Sequence, residues 1–150
     1  MIETSREEID TFLQEQTVGR VGYRWAGVTH IVPLIYAYKG DAIYVLTIEG
    51  QKIRAMRDDP LVCFEVDDYD SASGGWRSVV LHGRFEELGG ADKLDALALL
   101  KARHGLRRQS ADSPRLLPQS QSTVAFRIRI DSATGRRKDG LPATTSTSLD

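Results

Sequence analysis

The stretch TVGRVGYRWAGVTHIVPLIYAY, residues 17–38, decides the fold class. Two runs rich in Val, Ile, Tyr and Trp flank Ala26-Gly27, and β-forming residues on either side of a small-residue turn make a β-hairpin. Pairing is then antiparallel, because so short a link leaves no room for a crossover. Further along, Lys39-Gly40-Asp41 turns the chain into AIYVLTI, residues 42–48, so the spacing predicts three consecutive strands in a meander. Ahead of the hairpin, Ser5 stands three residues before Glu8, with Ile9, Phe12 and Leu13 on one helical face. That is a capping box opening a short amphipathic helix, a lid on a core.

Working outward, GQKIRAMRD at 50–58 is a short basic helix that must stop before Pro60. LVCFEVDD is a fourth strand, YDSASGG a polar loop, and WRSVVLHGRFEEL at 76–88 a fifth strand in which Gly83 marks a bulge or a close backbone approach. From Ala91 to Arg103, Leu94, Leu97, Ala98 and Lys101 recur at helical spacing, with Gly105 as the C-cap. Residues 107–122 have loop chemistry, and TVAFRIRI alternates apolar and basic residues as a half-exposed sixth strand does. The Arg-, Gly-, Thr- and Ser-rich end from Ser132 is not expected to pack by itself, which gives a domain at 1–133 and a flexible tail at 134–150. Six antiparallel strands with flanking helices argue for a mainly β protein, a small barrel whose closure removes exposed edges. There is no internal repeat.

The 150 residues suffice for one domain with a core of its own. Lys and Arg number 20 against 21 Asp and Glu, so overall charge recruits neither nucleic acid nor an anionic membrane, and any anion site must be local. The single cysteine, Cys63, excludes an internal disulfide and reads as a small buried hydrophobe, which fits a reducing cytoplasm. Neither a signal peptide nor a membrane-length apolar run is evident.

Two groups of residues carry candidate chemistry. Lys52, with Arg54 and Arg57, follows Thr47 and Gly50 where a strand gives way to a helix; backbone N–H donors and an ammonium there suit a phosphate, while the plainer reading is a solvated basic face. Trp76-Arg77-Ser78 puts a guanidinium fork and a hydroxyl at a strand start, suited to a carboxylate, a phosphate or a ring carbonyl; the plainer reading pairs Arg77 with an acid of VDDYD. His30, His82 and His104 are too scattered for a metal set. His82 reads as a hydrogen-bonded structural residue, His104 as a favourable charge at a helix end, and His30 could face a pocket. No Ser-His-Asp order and no Walker pattern occurs.

GRVGY, then VTHIVPLIYAYKGDAIYVLTIEGQKIRAMRDDPLVCFEVDD, then WRSVVLHGRFEEL together resemble the pyridoxamine phosphate oxidase-like, FMN-binding split-barrel superfamily, in its nitroimidazole-resistance-like branch. The resemblance covers roughly residues 8–90, with FRIRIDSATGRR similar to the closing strand. It implies a split β-barrel homodimer with FMN in clefts between the subunits. It implies Thr47, Gln51 and Lys52 at the phosphate, the backbone of Val32, Pro33 and Leu34 along the isoalloxazine with His30 close by, and Trp76, Arg77, Ser78 and Val79 lining the cleft. The flavin would pass hydride or electrons to a small organic acceptor, nitroaromatic or quinone-like, with protein groups mainly positioning it. Leu46 stands where many members of the branch carry His, and Gln51 where the oxidases proper often carry Arg, one phosphate-facing charge fewer. The vitamin-specific C-terminal motif is also not apparent, which argues against pyridoxamine phosphate oxidation itself. Two other readings stay open: a deazaflavin or haem in the same fold, with His30 or His82 as the haem ligand, and a flavin binder without activity.

Overall fold

The computed structural model describes residues 1–105 and 123–142. Its elements are β1 Ile2–Glu3, α1 Arg6–Glu15, β2 Val18–Trp25, β3 Val28–Ile35, β4 Ala37–Lys39, β5 Ala42–Ile48, α2 Gln51–Asp58, β6 Leu61–Tyr69, β7 Trp76–Leu88, α3 Gly90–His104 and β8 Thr123–Lys138. The hairpin forms as its composition requires. β2 and β3 pair from Val18 opposite Ile35 to Trp25 opposite Val28, and Ala26 (φ 52°) and Gly27 (φ 76°) both take the left-handed conformation of a tight primed turn. Ser5 caps α1 by accepting from the Glu8 N–H at 3.2 Å. Glu8 does not complete the reciprocal half of the box; its carboxylate pairs with Arg137.

The sheet order is β3-β2-β6-β7-β8-β5-β4, with β1 beside β8. This corrects the three-strand meander, since β3 pairs with β2, β4 pairs with β5, and the two pairs lie at opposite ends of the sheet. Tyr36 makes the break. It is fully buried, its ring packs edge-on against Phe64 with centroids 5.3 Å apart, its hydroxyl donates to the Leu13 carbonyl at 2.7 Å, and its N–H goes to Thr17 O at 3.0 Å. A residue held inward on four counts cannot also continue a flat ladder. Because only Tyr36 separates β3 from β4, the sheet curls until its ends meet through the chain rather than through hydrogen bonds, which leaves the barrel split.

Alternation along the strands sends Val21, Val45, Val62, Phe64, Leu81, Phe126 and Ile128 inward, and α1 (Ile9, Phe12, Leu13) and α2 (Ile53, Ala55, Met56) add to the same core. The same alternation puts Cys63 between the inward Val62 and Phe64, so it is half-exposed on the outer face and not the buried hydrophobe its neighbours suggested. Gly83 is both bulge and close approach: the β7–β8 register shifts between His82 and Gly83, and a Cβ there would stand 2.3 Å from Arg129 O. α3 ends at Gly105 (φ 70°) as read, but its phase differs, with Ala96 and Leu100 buried and Leu94 exposed. Packing of Leu88, Ala96 and Ala125 over the β5 side selects that stripe. β8 runs on through Lys138, past residue 133, because it finds ladder partners in β7 and β1. The 107–122 loop lies wholly outside the described residues. No helix among the described residues is long and apolar enough to cross a membrane.

Candidate functional site

The first group of site residues gathers where β5 runs into α2. Thr47 is half-buried near the end of β5, Gly50 is the N-cap of α2 without a side-chain cap, and Gln51 and Lys52 form its first turn. Of the three cations in this helix, Arg57 is committed, bonding Glu49 at 2.6 Å and Glu87 at 2.6 and 3.0 Å, and Arg54 is exposed. Lys52 differs. It is half-buried, burial alone pushes its pKa down, and no carboxylate among the described residues offsets that cost. An ammonium at a helix N-terminus with no internal counter-charge is an arrangement that gains from an anion.

His30 and Gln51 are brought together by a residue that sequence reading missed. Tyr23, buried on β2, stacks on His30 with centroids 5.3 Å apart and planes 14° from parallel, and its hydroxyl donates to Gln51 Oε1 at 3.3 Å. The hairpin register places Tyr23 opposite His30, so the pair was detectable by counting back from Ala26-Gly27. Val32 and Leu34 share the inward face with His30 and pack on the core, whereas Pro33 points the other way and is exposed. β3 pairs only with β2 among the described residues, which leaves its outer backbone edge open beside these side chains. Leu46 faces away from this group and packs with Leu88, Ala96 and Ala125 under α3.

Trp76, Arg77, Ser78 and Val79 lie elsewhere. Arg77, Ser78 and Val79 line a groove of about 450 Å³ between the start of β7 and α1, whose other walls include Ser5, Glu8, Thr11, Phe12 and Arg136. Val79 is in the core by its side chain. Arg77 lies over the Phe12 ring at 4.7 Å and reaches Asp68 at 3.3 Å and Glu15 at 3.5 Å, so the plainer pairing with an acid of VDDYD is realised as well. Along β6, Gly22 faces Cys63 and Arg77 faces Asp68, which separates Tyr23 from Arg77 by about 20 Å of strand. Within one chain, therefore, the two groups do not form one pocket. His82 is exposed on the outer face opposite Cys63, turned away from His30, and His104 Nε2 lies 2.7 Å from Tyr36 O at the end of α3. No cluster of metal-ligating side chains occurs among the described residues.

With this geometry, the profile of the pyridoxamine 5'-phosphate oxidase family matches residues 5–137. The chain belongs to that family. Its split β-barrel is shared with a FAD-binding protein from Mesorhizobium loti, 32% identical, with a TM-score of 0.73 over 91% of this chain and 95% of that one. A proposed 5-nitroimidazole antibiotic resistance protein from Bacteroides thetaiotaomicron, 18% identical, has the same fold at a TM-score of 0.73 over 89% and 85% of the two chains. An uncharacterised protein of Rhizobium meliloti (strain 1021) is 28% identical over 141 residues, 88% of this chain and 91% of the relative.

Proposed function

We propose that this family member binds a flavin nucleotide, works as a homodimer with the cofactor between its copies, and passes electrons to a small organic acceptor such as a nitroaromatic or quinone. The observation that carries the reading is Lys52, a half-buried cation at the start of α2 whose charge nothing else in the described chain offsets. The residues fit the group: Lys52, Gln51 and Thr47 would hold phosphate, while His30, Val32 and Leu34 beside the open edge of β3 offer a flat surface for a ring. Two copies are supported by the roughly 20 Å between this group and the Arg77 groove, which a partner's groove could cross. When bound, a flavin supplies the electron-carrying ring; this chain anchors, orients and shields it.

FMN is the cofactor we assign, because its single phosphate suits a site with one ammonium and Gln51 in place of a second cation. FAD is the second reading, favoured by the Mesorhizobium loti protein's description. Lys52→Ala tests the site: titrating FMN into the protein by flavin fluorescence should show affinity reduced about 10- to 150-fold, the loss of a charge-assisted contact of about 1.5–3 kcal/mol. Equal affinity in both proteins overturns the phosphate assignment. Chromatography of the flavin released on denaturation separates FMN from FAD, and NADH-driven reduction of a quinone separates an oxidoreductase from a passive binder.

A further inference from the structure

No described element covers the outer face of β3, β2, β6 and β7, and the strand register maps it. Pro33, Arg20, Glu65, Val80 and Thr134 lie side by side across the sheet. The row on one side holds Ile35 next to Val18 and Asp67 next to Ser78 and Arg136; the row on the other holds Ile31, Gly22, Cys63 and His82. Apolar side chains stand open to water here, with Ile31 69% exposed and Val18, Ile35 and Val80 near 40%. At their centre the Arg20 guanidinium reaches Glu65 at 3.2 Å and Asp67 at 3.5 Å, so one cation serves two carboxyls on the same face of β6.

We propose that a second copy of this chain covers this face, and that covering it takes up a proton at each Glu65–Asp67 pair, so that association tightens as pH falls. The inference rests on the dimeric reading above and adds its face and its linkage to protons. A twofold partner presents the same apolar rows and the same trio, and basic and acidic groups side by side are complementary to their own copy. If the arginines pair across the axis instead of within each chain, the count is unchanged: two guanidiniums face four carboxyls, and one proton per copy removes the excess. The uncovered face already leans this way, since burial first, and then the hydrogen bond and charge of Asp67, push the Glu65 carboxyl up to about 7 against the pull of Arg20. Removing more water moves it further in the same direction.

The other charged or titratable groups on the face are Arg24 from β2, Cys63 and Tyr69 from β6, His82, Arg84 and Glu86 from β7, and Arg136 and Lys138 from β8; β3 brings Thr29, Ile31, Pro33 and Ile35, none charged. The arginines stand at the ends of the rows, where a rim stays wet. Ser78 and Arg136 belong both to this face and to the 450 Å³ groove, so a copy docked here also borders the groove lined by the candidate site residues Arg77, Ser78 and Val79.

Sedimentation velocity over a dilution series at pH 6 and pH 8, with enough urea to bring dissociation into range, tests the idea. The dimer Kd should be at least about 10-fold weaker at pH 8, by linkage of association to proton uptake. Glu65→Gln should hold the low-pH affinity at both values, Asp67→Asn should flatten the dependence in the same sense, and His82→Gln should keep it. Val80→Lys should give monomers. A dimer whose Kd ignores pH overturns the proton linkage and leaves the dimeric reading standing; a monomer under all conditions overturns both. A dimer indifferent to Val80→Lys, or a pH response lost in His82→Gln, overturns the assignment to this face or to this trio.

Discussion

At position 83 the β7–β8 ladder has no room for a methyl group: a Cβ would meet the Arg129 carbonyl at 2.3 Å and Ile128 Cγ2 at 2.8 Å. The nearer obstacle is backbone in a paired strand, so it cannot swing aside. Gly83→Ala should cost about 2–4 kcal/mol in urea denaturation through overpacking and a displaced bulge. Gly89→Ala, where nothing lies within 4 Å and the backbone is extended, should stay within about 0.5 kcal/mol of the parent. Single residues of this kind were legible from sequence because each acts through its own backbone or side chain: Gly83 as a bulge, Ser5 as a cap. Tyr23 was not, since its part depends on two partners, one across the hairpin and one on α2. Tyr23→Phe keeps the stack and removes only the bond to Gln51, so it should cost about 1 kcal/mol or less in stability. If Gln51 does border the phosphate, the same change should weaken FMN binding a few-fold in the fluorescence titration used for Lys52.

At the scale of elements, α1 is held by its ends as much as by its apolar face. Ser5 closes the N-terminus, and one Arg103 nitrogen from α3 lies 3.1, 3.1 and 3.3 Å from the carbonyls of Gln14, Glu15 and Gln16, covering C-terminal acceptors that the helix leaves open. Arg103→Met keeps most of the stem and removes the donor. Hydrogen exchange should then run about 10-fold faster in the α1 amides, roughly 1.4 kcal/mol of local opening, with β7 unchanged. Equal acceleration in α1 and β7 would mean that the helix does not open separately from the sheet. The types of the main elements followed closely from local pattern, the hairpin around Ala26-Gly27 above all. What did not follow was where the chain leaves a sheet. Tyr36 sits in an unbroken β-rich run, and only its contacts with Phe64 and Leu13, distant in sequence, show that the run is two strands. The phase of α3 was misjudged for a related reason: leucines occur all round that helix, and the cluster of Leu88, Ala96 and Ala125 chooses among them. β8 outran its apolar stretch because ladder bonds to β7 and β1, and not side-chain burial, sustain Thr134 to Lys138.

For the whole molecule, the decisive geometry is the distance between Lys52 at the start of α2 and the groove at the start of β7, two places tied to opposite ends of the same β2–β6–β7 ladder. Sequence similarity could name both groups but not their separation, which follows from register. In the proposed reading a cofactor touching both lies between copies, and that arrangement has a consequence no single-chain site shares. Lys52→Ala injures the anchoring half of a cleft, and Ser78→Leu, which places a larger side chain in the 450 Å³ groove, injures the other half. Each variant alone gives dimers with two damaged sites. In a heterodimer of the two, one cleft carries both lesions and the other carries neither. Mixing the purified variants in equal amounts and allowing subunits to exchange should therefore restore tight FMN binding at about one site in four, as random pairing of a twofold dimer requires. Fluorescence titration of the mixture, read for stoichiometry rather than affinity, gives the answer. A mixture that binds no better than its components places both lesions in the same cleft, and the cofactor then belongs to one chain.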